Sequence, residues 1–489
     1  MTTIDTHVTS APASAGSGLA CVAEWVTTTD HKRIGRLYLG SAAVGFVGSA
    51  VVALLLGIER ISPSREWLDI GSLTQLFALQ RFGLTFMVML PLVVGLATAI
   101  VPLQVGARSL AFPRLAAAGF WAWLIGAVLA VVSVLNNGGP NGGNADFVDL
   151  FTLSAALAAA GFLAGAVSLV TTILTTRAPG MNMRRVPFFT WSVLVASLGL
   201  LVAMPVLIGQ LLYVFVAHRH PSLSELSGNR AFAEFAGFGF TQPTTIIFAI
   251  PVFGFFAEVV ATFTRGRSRN RGLIFAGIGL VGVAVFGTVL QWPATLRTSF
   301  LDLSFGEKLK DLLPFALVHG VPALGALVAV ALCAKGLSAK PTITAPLVFG
   351  LFSALLALCG VAASALNHVA GAGLIGTTFE EGTWLALVFS AVLATMGAVT
   401  YWGPKWWGRS LPPKAVLPLA LLAFAGAALA ALPLMVAGFA DQPGGVFPAV
   451  ERGSDAVVNF DYSGPMALWN LLSSVGHGMV LLAGLVVFG

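Results

Sequence analysis

Charge is what this sequence has least of. Aspartate, glutamate, lysine and arginine make up 9% of its 489 residues, against about a quarter in ordinary soluble domains. That scarcity excludes a water-soluble globule. Cysteine is almost missing too: Cys21, Cys333 and Cys359 share no metal-ligand spacing and no evident mutual partner, so neither a disulfide framework nor a cysteine-held metal is indicated. Histidine is scarce, with 7 in the whole chain, which limits any chemistry that needs several imidazoles. The first 35 residues, rich in Ser, Thr and Ala, contain no apolar h-region, so no cleaved signal peptide is expected.

What is present is hydrocarbon-compatible. Hydrophobic residues account for 57% of the chain. Runs long enough to cross roughly 30 Å of lipid, about 20 residues each, fall near 38–58, 84–106, 116–136, 150–176, 188–217, 244–264, 273–295, 312–334, 344–366, 383–405, 415–439 and 466–488. The pattern predicts an all-α polytopic membrane protein, with a mobile cytoplasmic tail over 1–35 and one membrane domain over 36–489. Lys and Arg set the orientation. Assigning alternate loops to the side of the N-terminus gathers 17 of the 26 basic residues there, so the positive-inside rule places the N-terminus in the cytoplasm. The basic "RGRSRNR" at 265–271 is then an inner loop rather than a nucleic-acid patch.

Twelve apolar runs fit a transporter as well as a respiratory subunit, and motifs decide between them. "WVTTTDHKRIGRLYL" (25–39) leads a charged cluster into the first run. "VPLQVGARSLAFPRLAAAGFW" (101–121) joins the second to the third; "MPVLIGQLLYVFVAHRH" (204–220), "YWGPKWWGR" (401–409) and "LWNLLSSVG" (468–476) follow in order. In this order and spacing the phrases resemble the heme–copper oxidase subunit I family, over nearly the whole chain from Trp25 onward. The resemblance implies twelve transmembrane helices in three arcs of four. In working members of that family two hemes and a copper ion sit in pores between the helices, held by histidines, and the protein reduces O₂ while pumping protons.

The resemblance also says where those histidines should stand, and here they do not. "QLFALQ" (75–80) puts Gln80 at the position of an axial ligand of the low-spin heme. Heme iron takes imidazole, thiolate, thioether or phenolate; a carboxamide is a poor substitute. "TQPTTII" (241–247) puts Gln242, Thr244 and Ile246 where the family has a copper-ligating His, a proton-delivering Glu and a cross-linked Tyr. Paired histidines expected near "LQWPATL" (290–296) are missing, since none occurs between His220 and His319. Counting back from "YWGPK", Gly382 falls at the high-spin ligand position and Trp384 at the second low-spin position.

Accessory positions follow the same trend. Two arginines that pair with heme propionates correspond to Gly444 and Gly445, an inner proton-entry Asp to Ser109, the following asparagines to Ala116 and Ala117, and a proton-path Lys to Ala326. Of the histidines present, only His319 and His477 sit well within apolar runs, with His368 at an edge, and a lone intrahelical His is expected to bond a neighbouring helix. Glu380 and Glu381 precede the tenth run, where a helix N-terminus on the outer side favours acidic groups. Trp384 and Trp292 are expected as packing residues in the former pores, with any residual gap filled by lipid or a quinone-like molecule. The sequence therefore reads as a non-catalytic subunit I paralogue with no heme or copper expected. Its expected partners are the lipid bilayer and other respiratory-complex subunits, a catalytic oxidase subunit among them. The alternatives are a working oxidase with a rearranged site, and a solute or proton pathway through the emptied pores.

Overall fold

Hydrocarbon offers no partner to a backbone N–H or C=O, so each apolar run must satisfy its own backbone as a helix. The structure, a computed structural model, describes residues 18–61, 68, 70–140, 142–220, 244–265, 270–290, 294–339, 341–408, 411–444 and 465–488. Twelve helices among these residues are long and apolar enough to cross a membrane. They are α1 (His31–Ile61), α2 (Ser72–Val105), α3 (Pro113–Leu135), α4 (Ala145–Thr175), α5 (Phe188–Arg219) and α6 (Thr244–Phe263). The second half comprises α7 (Arg271–Val289), α8 (Phe305–Gly336), α9 (Ala345–Asn367), α10 (Thr378–Trp407), α11 (Pro413–Phe439) and α12 (Met466–Phe488).

Neighbour relations sort these helices into three arcs. One runs α11–α12–α1–α2, a second α3–α4–α5–α6, a third α7–α8–α9–α10. The three that end the arcs are the inner ones: the most apolar stretches of α2, α6 and α10 are 94%, 78% and 100% buried, against 39% for α1, α3, α7 and α8. The helices facing lipid keep Leu and Val on their outer sides, and the inner ones are apolar all round. Close approach comes from small residues. At the α3–α4 crossing a Cβ on Gly161 would lie 2.5 Å from the backbone of Gly119 and Trp123.

Several boundaries differ from those expected of the sequence. Within the stretch expected as a tail, Gly18–Val26 forms a short helix, held by a Glu24–Arg33 ion pair of 2.6 Å and by Trp121 Nε1, which donates to Val26 O at 3.1 Å. The second span starts a dozen residues earlier than the apolar run because Thr74, Gln75, Gln80 and Arg81 interrupt hydropathy without interrupting the helix. It also contains a π turn over Gly83–Met89. Trp123 Nε1 donates to Phe86 O within that turn at 2.8 Å, supplying a partner where the helical ladder is disturbed. A second π turn, Ala316–Gly320, lies in α8 and carries His319. α8 has 32 residues, about 48 Å at ~1.5 Å per residue, well beyond the ~30 Å of hydrocarbon. Its first turns, opened by a Ser304–Glu307 capping box, expose Phe305, Leu309, Leu312 and Leu313.

Candidate functional site

The inner helices α2 and α10 meet directly, and the side chain between them is Trp384. It is fully buried; its Nε1 donates to Thr85 Oγ1 in the π turn of α2 at 3.1 Å, and the Arg81 guanidinium sits 5.5 Å from the ring centroid. The indole thus has its one donor satisfied and a cation against one face, the requirements for a buried Trp. One turn N-terminal to Trp384 on the same helix lies Glu381. It stands in the first turn of α10, at the helix N-terminus as expected, but is buried within the bundle: Arg60 of α1 grips it with Nη1 to Oε1 at 3.0 Å and Nη2 to Oε2 at 2.5 Å. This bidentate pairing joins residues 321 positions apart. A buried ion pair needs such geometry and added hydrogen bonds to offset its desolvation.

Further polar groups close around it. Asn470 of α12 donates to Arg60 O at 3.1 Å and accepts from Gln442 at 3.1 Å, and Arg81 and His477 lie near the Glu381 carboxylate. Gln80 is buried on the α2 side. Arg60, Gln80, Glu381, Asn470 and His477 line a cavity of about 10 Å³, room for about one water. The expectation of a lipid or quinone-like occupant fails at this place, for want of volume.

The surroundings of Gly382 and Gly444 are set by backbone packing. A Cβ on Gly382 would lie 2.6 Å from Ala431 O and 2.8 Å from the Met435 side chain, so α10 rests directly on α11 there. A Cβ on Gly444 would lie 2.7 Å from Thr377 O, and Gly444 N donates to Gly376 O at 2.8 Å. Gln242, Gly445 and Trp292 lie outside the described residues. Of the sixth-helix positions, Ile246 is buried, as are Ile247, Phe248, Ile250 and Phe253 of the same apolar stretch, on a helix that packs against α5 and against α8, α9 and α10. Ser109 is exposed at the α2–α3 turn, while Ala116 and Ala326 are packed away. At the opposite end of the bundle, Glu258 accepts from Gln104 at 3.5 Å, and Gln104 in turn accepts from Thr190 at 2.5 Å.

Among the described residues no group of three or more His, Cys, Asp or Glu converges. His319 and His368 meet face to face, with ring centroids 4.1 Å apart and planes 22° apart. Their nitrogen lone pairs lie in the ring planes, so stacked rings do not aim at a common ion. Two histidines make bonds within their own segments rather than to a neighbouring helix: His368 Nδ1 donates to Ser364 O and His477 Nδ1 to Ser473 O, each at 2.8 Å. Burial holds His368, just past the end of α9, below the usual imidazole range.

Three arcs, a buried α2–α6–α10 core and the motifs at the helix junctions set the terms for comparison with known proteins. Residues 33–479 match the family described as Cytochrome C and Quinol oxidase polypeptide I. This chain belongs to that family. Among its curated relatives, a subunit 1-beta of cytochrome c oxidase from Nocardia farcinica is 34% identical over 275 residues, covering 52% of this chain and 46% of the relative. A subunit 1-beta from Streptomyces avermitilis is 29% identical over 437 residues, covering 80% and 71%. The cytochrome c oxidase subunit 1 of Bacillus subtilis is 30% identical over 277 residues, covering 54% and 44%. The chain thus spans about half the length of two of these relatives and more of the third. As a polypeptide I protein it is an integral membrane protein, and the relatives named above are bacterial.

Within this polypeptide I fold the structure brings Gln80 and Trp384 to the α2–α10 contact, and turns Gly382 toward α11. The Arg60–Glu381 pair is what sequence reasoning missed. Each charge stands at the end of an apolar run, which permits the pair without singling it out.

Proposed function

We propose that this subunit I binds neither heme nor copper and acts as a non-catalytic, structural or assembly subunit of a respiratory complex, beside a catalytic oxidase subunit. Its site is the bacterial cytoplasmic membrane, with residues 1–35 on the cytoplasmic side and 36–489 forming the membrane domain. The observation that carries this reading is Trp384. A residue at the position of an axial ligand is an indole packed against Thr85 and Arg81, and indole nitrogen is a donor with no lone pair for iron. The residues present do not fit an iron porphyrin: the space beside Gln80 has about 10 Å³, and Gly382 has no clearance for an imidazole. Charge supports the same conclusion. In the related enzymes arginines answer heme carboxylates, whereas here the carboxylate facing Arg60 is the chain's own Glu381.

A rearranged oxidase site would need several convergent imidazoles, and the stacked His319–His368 pair does not supply them. A solute or proton pathway needs a continuous polar column, which the apolar packing of α6 against α10 disfavours. The subunit role is supported by the exposed apolar residues Phe305, Leu309, Leu312 and Leu313 at the head of α8, a face that a neighbouring subunit would shield from water. Purification of a tagged chain in mild detergent is expected to bring down a heme-containing oxidase subunit I in near-equal amount. Recovery of the chain alone, with its own oxidase activity, would refute the proposal.

A further inference from the structure

His477 sits at the centre of α12 with its two nitrogens in unlike situations. Nδ1 lies 2.8 Å from Ser473 O. A carbonyl only accepts, so Nδ1 carries the proton and the neutral ring leaves Nε2 as a lone-pair acceptor. That Nε2 is buried and no protein group reaches it. An acceptor left dry in such a place is costly, and natural structures rarely tolerate one. His477 also lines the cavity shared with Arg60, Gln80, Glu381 and Asn470, whose volume is about 10 Å³. This is the size at which a cavity takes one water, provided that two to four polar partners surround it.

We propose that this cavity is a binding site for a single water molecule that donates to His477 Nε2 and completes its bonding on the polar wall formed by Gln80, Asn470 and the Arg60–Glu381 pair. The ligand class follows from charge and size. Arg60 and Arg81 near the cavity repel a metal cation; Glu381 already neutralises Arg60, leaving little to attract an anion; and nothing larger than water has room. The water links α1, α2, α10 and α12 at the place where related enzymes hold their low-spin heme. Gln80 then has a role of its own, as a neutral wall of a hydrated site.

The inference rests on the heme-free reading, because a porphyrin would claim the same space, and the test separates the two. A map of the native complex at about 2 Å resolution is expected to show one isolated density within hydrogen-bonding distance of His477 Nε2. Density for a porphyrin between α2 and α10 would overturn the heme-free reading, whereas closed helices with no density at Nε2 would overturn the water alone. Thermal unfolding supplies an independent check. Ala53→Val adds methyl groups to the cavity wall and should displace the water; it is expected to lower Tm by at least about 2 °C more in the natural background than in a His477→Leu background, where no acceptor waits for the water. Equal shifts in the two backgrounds, or a rise in Tm with His477 present, would show that the cavity is dry.

Discussion

Replacing Glu381 by alanine is expected to destabilise the folded chain by about 3–5 kcal/mol, the cost of leaving a buried charge without its partner. The pair is buried on both sides, with 9% and 7% of the Arg60 and Glu381 side chains accessible, so solvent screening offers little relief. Two contacts give the geometry its strength: each terminal guanidinium nitrogen donates to one carboxylate oxygen. The effect also spreads, because Arg60 O accepts from Asn470 and Asn470 accepts from Gln442. Arg60→Met combined with Glu381→Leu is expected to recover most of the loss, since a well-packed apolar pair is often as stable as the ions it replaces. Denaturant unfolding in lipid nanodiscs would measure both. A cost below about 1 kcal/mol for Glu381→Ala would place the pair among the weak, solvated bridges and remove it from the account.

The second large effect concerns restoration. Gln80→His with Trp384→His places imidazoles at the two positions that the family resemblance assigns to low-spin heme ligands, yet the variant is expected to take up no stoichiometric heme. Removing Trp384 deletes a fully buried indole and the bond to Thr85. The exchange for a smaller ring should cost about 2–3 kcal/mol, below the ~3–5 typical of Trp→Ala. The space so gained is a fraction of a porphyrin. Heme carboxylates would then meet an Arg60 already committed to Glu381, and at Gly444 a backbone contact with no side chain to answer them. The reading is an absorption spectrum after heme addition. A sharp low-spin bis-imidazole spectrum at one heme per chain would mean that the pore is still open and that two ligands were all it lacked.

Much of this molecule could be read before its structure. The apolar runs report the helices because lipid imposes one solution on each. The junction phrases locate Gln80, Gly382 and Trp384 because helices are counted residue by residue. What could not be read is what depends on the meeting of distant segments. Arg60 and Glu381 stand 321 residues apart, and either alone looks like an interfacial charge at a helix end. The π turn over Gly83–Met89 changes which face each side of α2 presents, and no local residue pattern announces it. The cluster of Tyr38, Phe86, Phe120, Trp123 and Phe162 that fills the α1–α4 side of the bundle appears in sequence only as scattered aromatics. Counting also gives a position without its neighbours: it sets Gly382 against a ligand position of the family, but that this glycine bears on α11 follows only from the packing.

The central claim is that Gln80, Gly382 and Trp384 leave the chain without a redox centre. Its most direct test is pyridine-hemochrome spectroscopy together with copper analysis on the isolated chain, purified from its native membrane and separated from its partner subunits. Heme and copper are each expected far below one per chain. A Soret band corresponding to about one heme per chain, persisting after that separation, would contradict it.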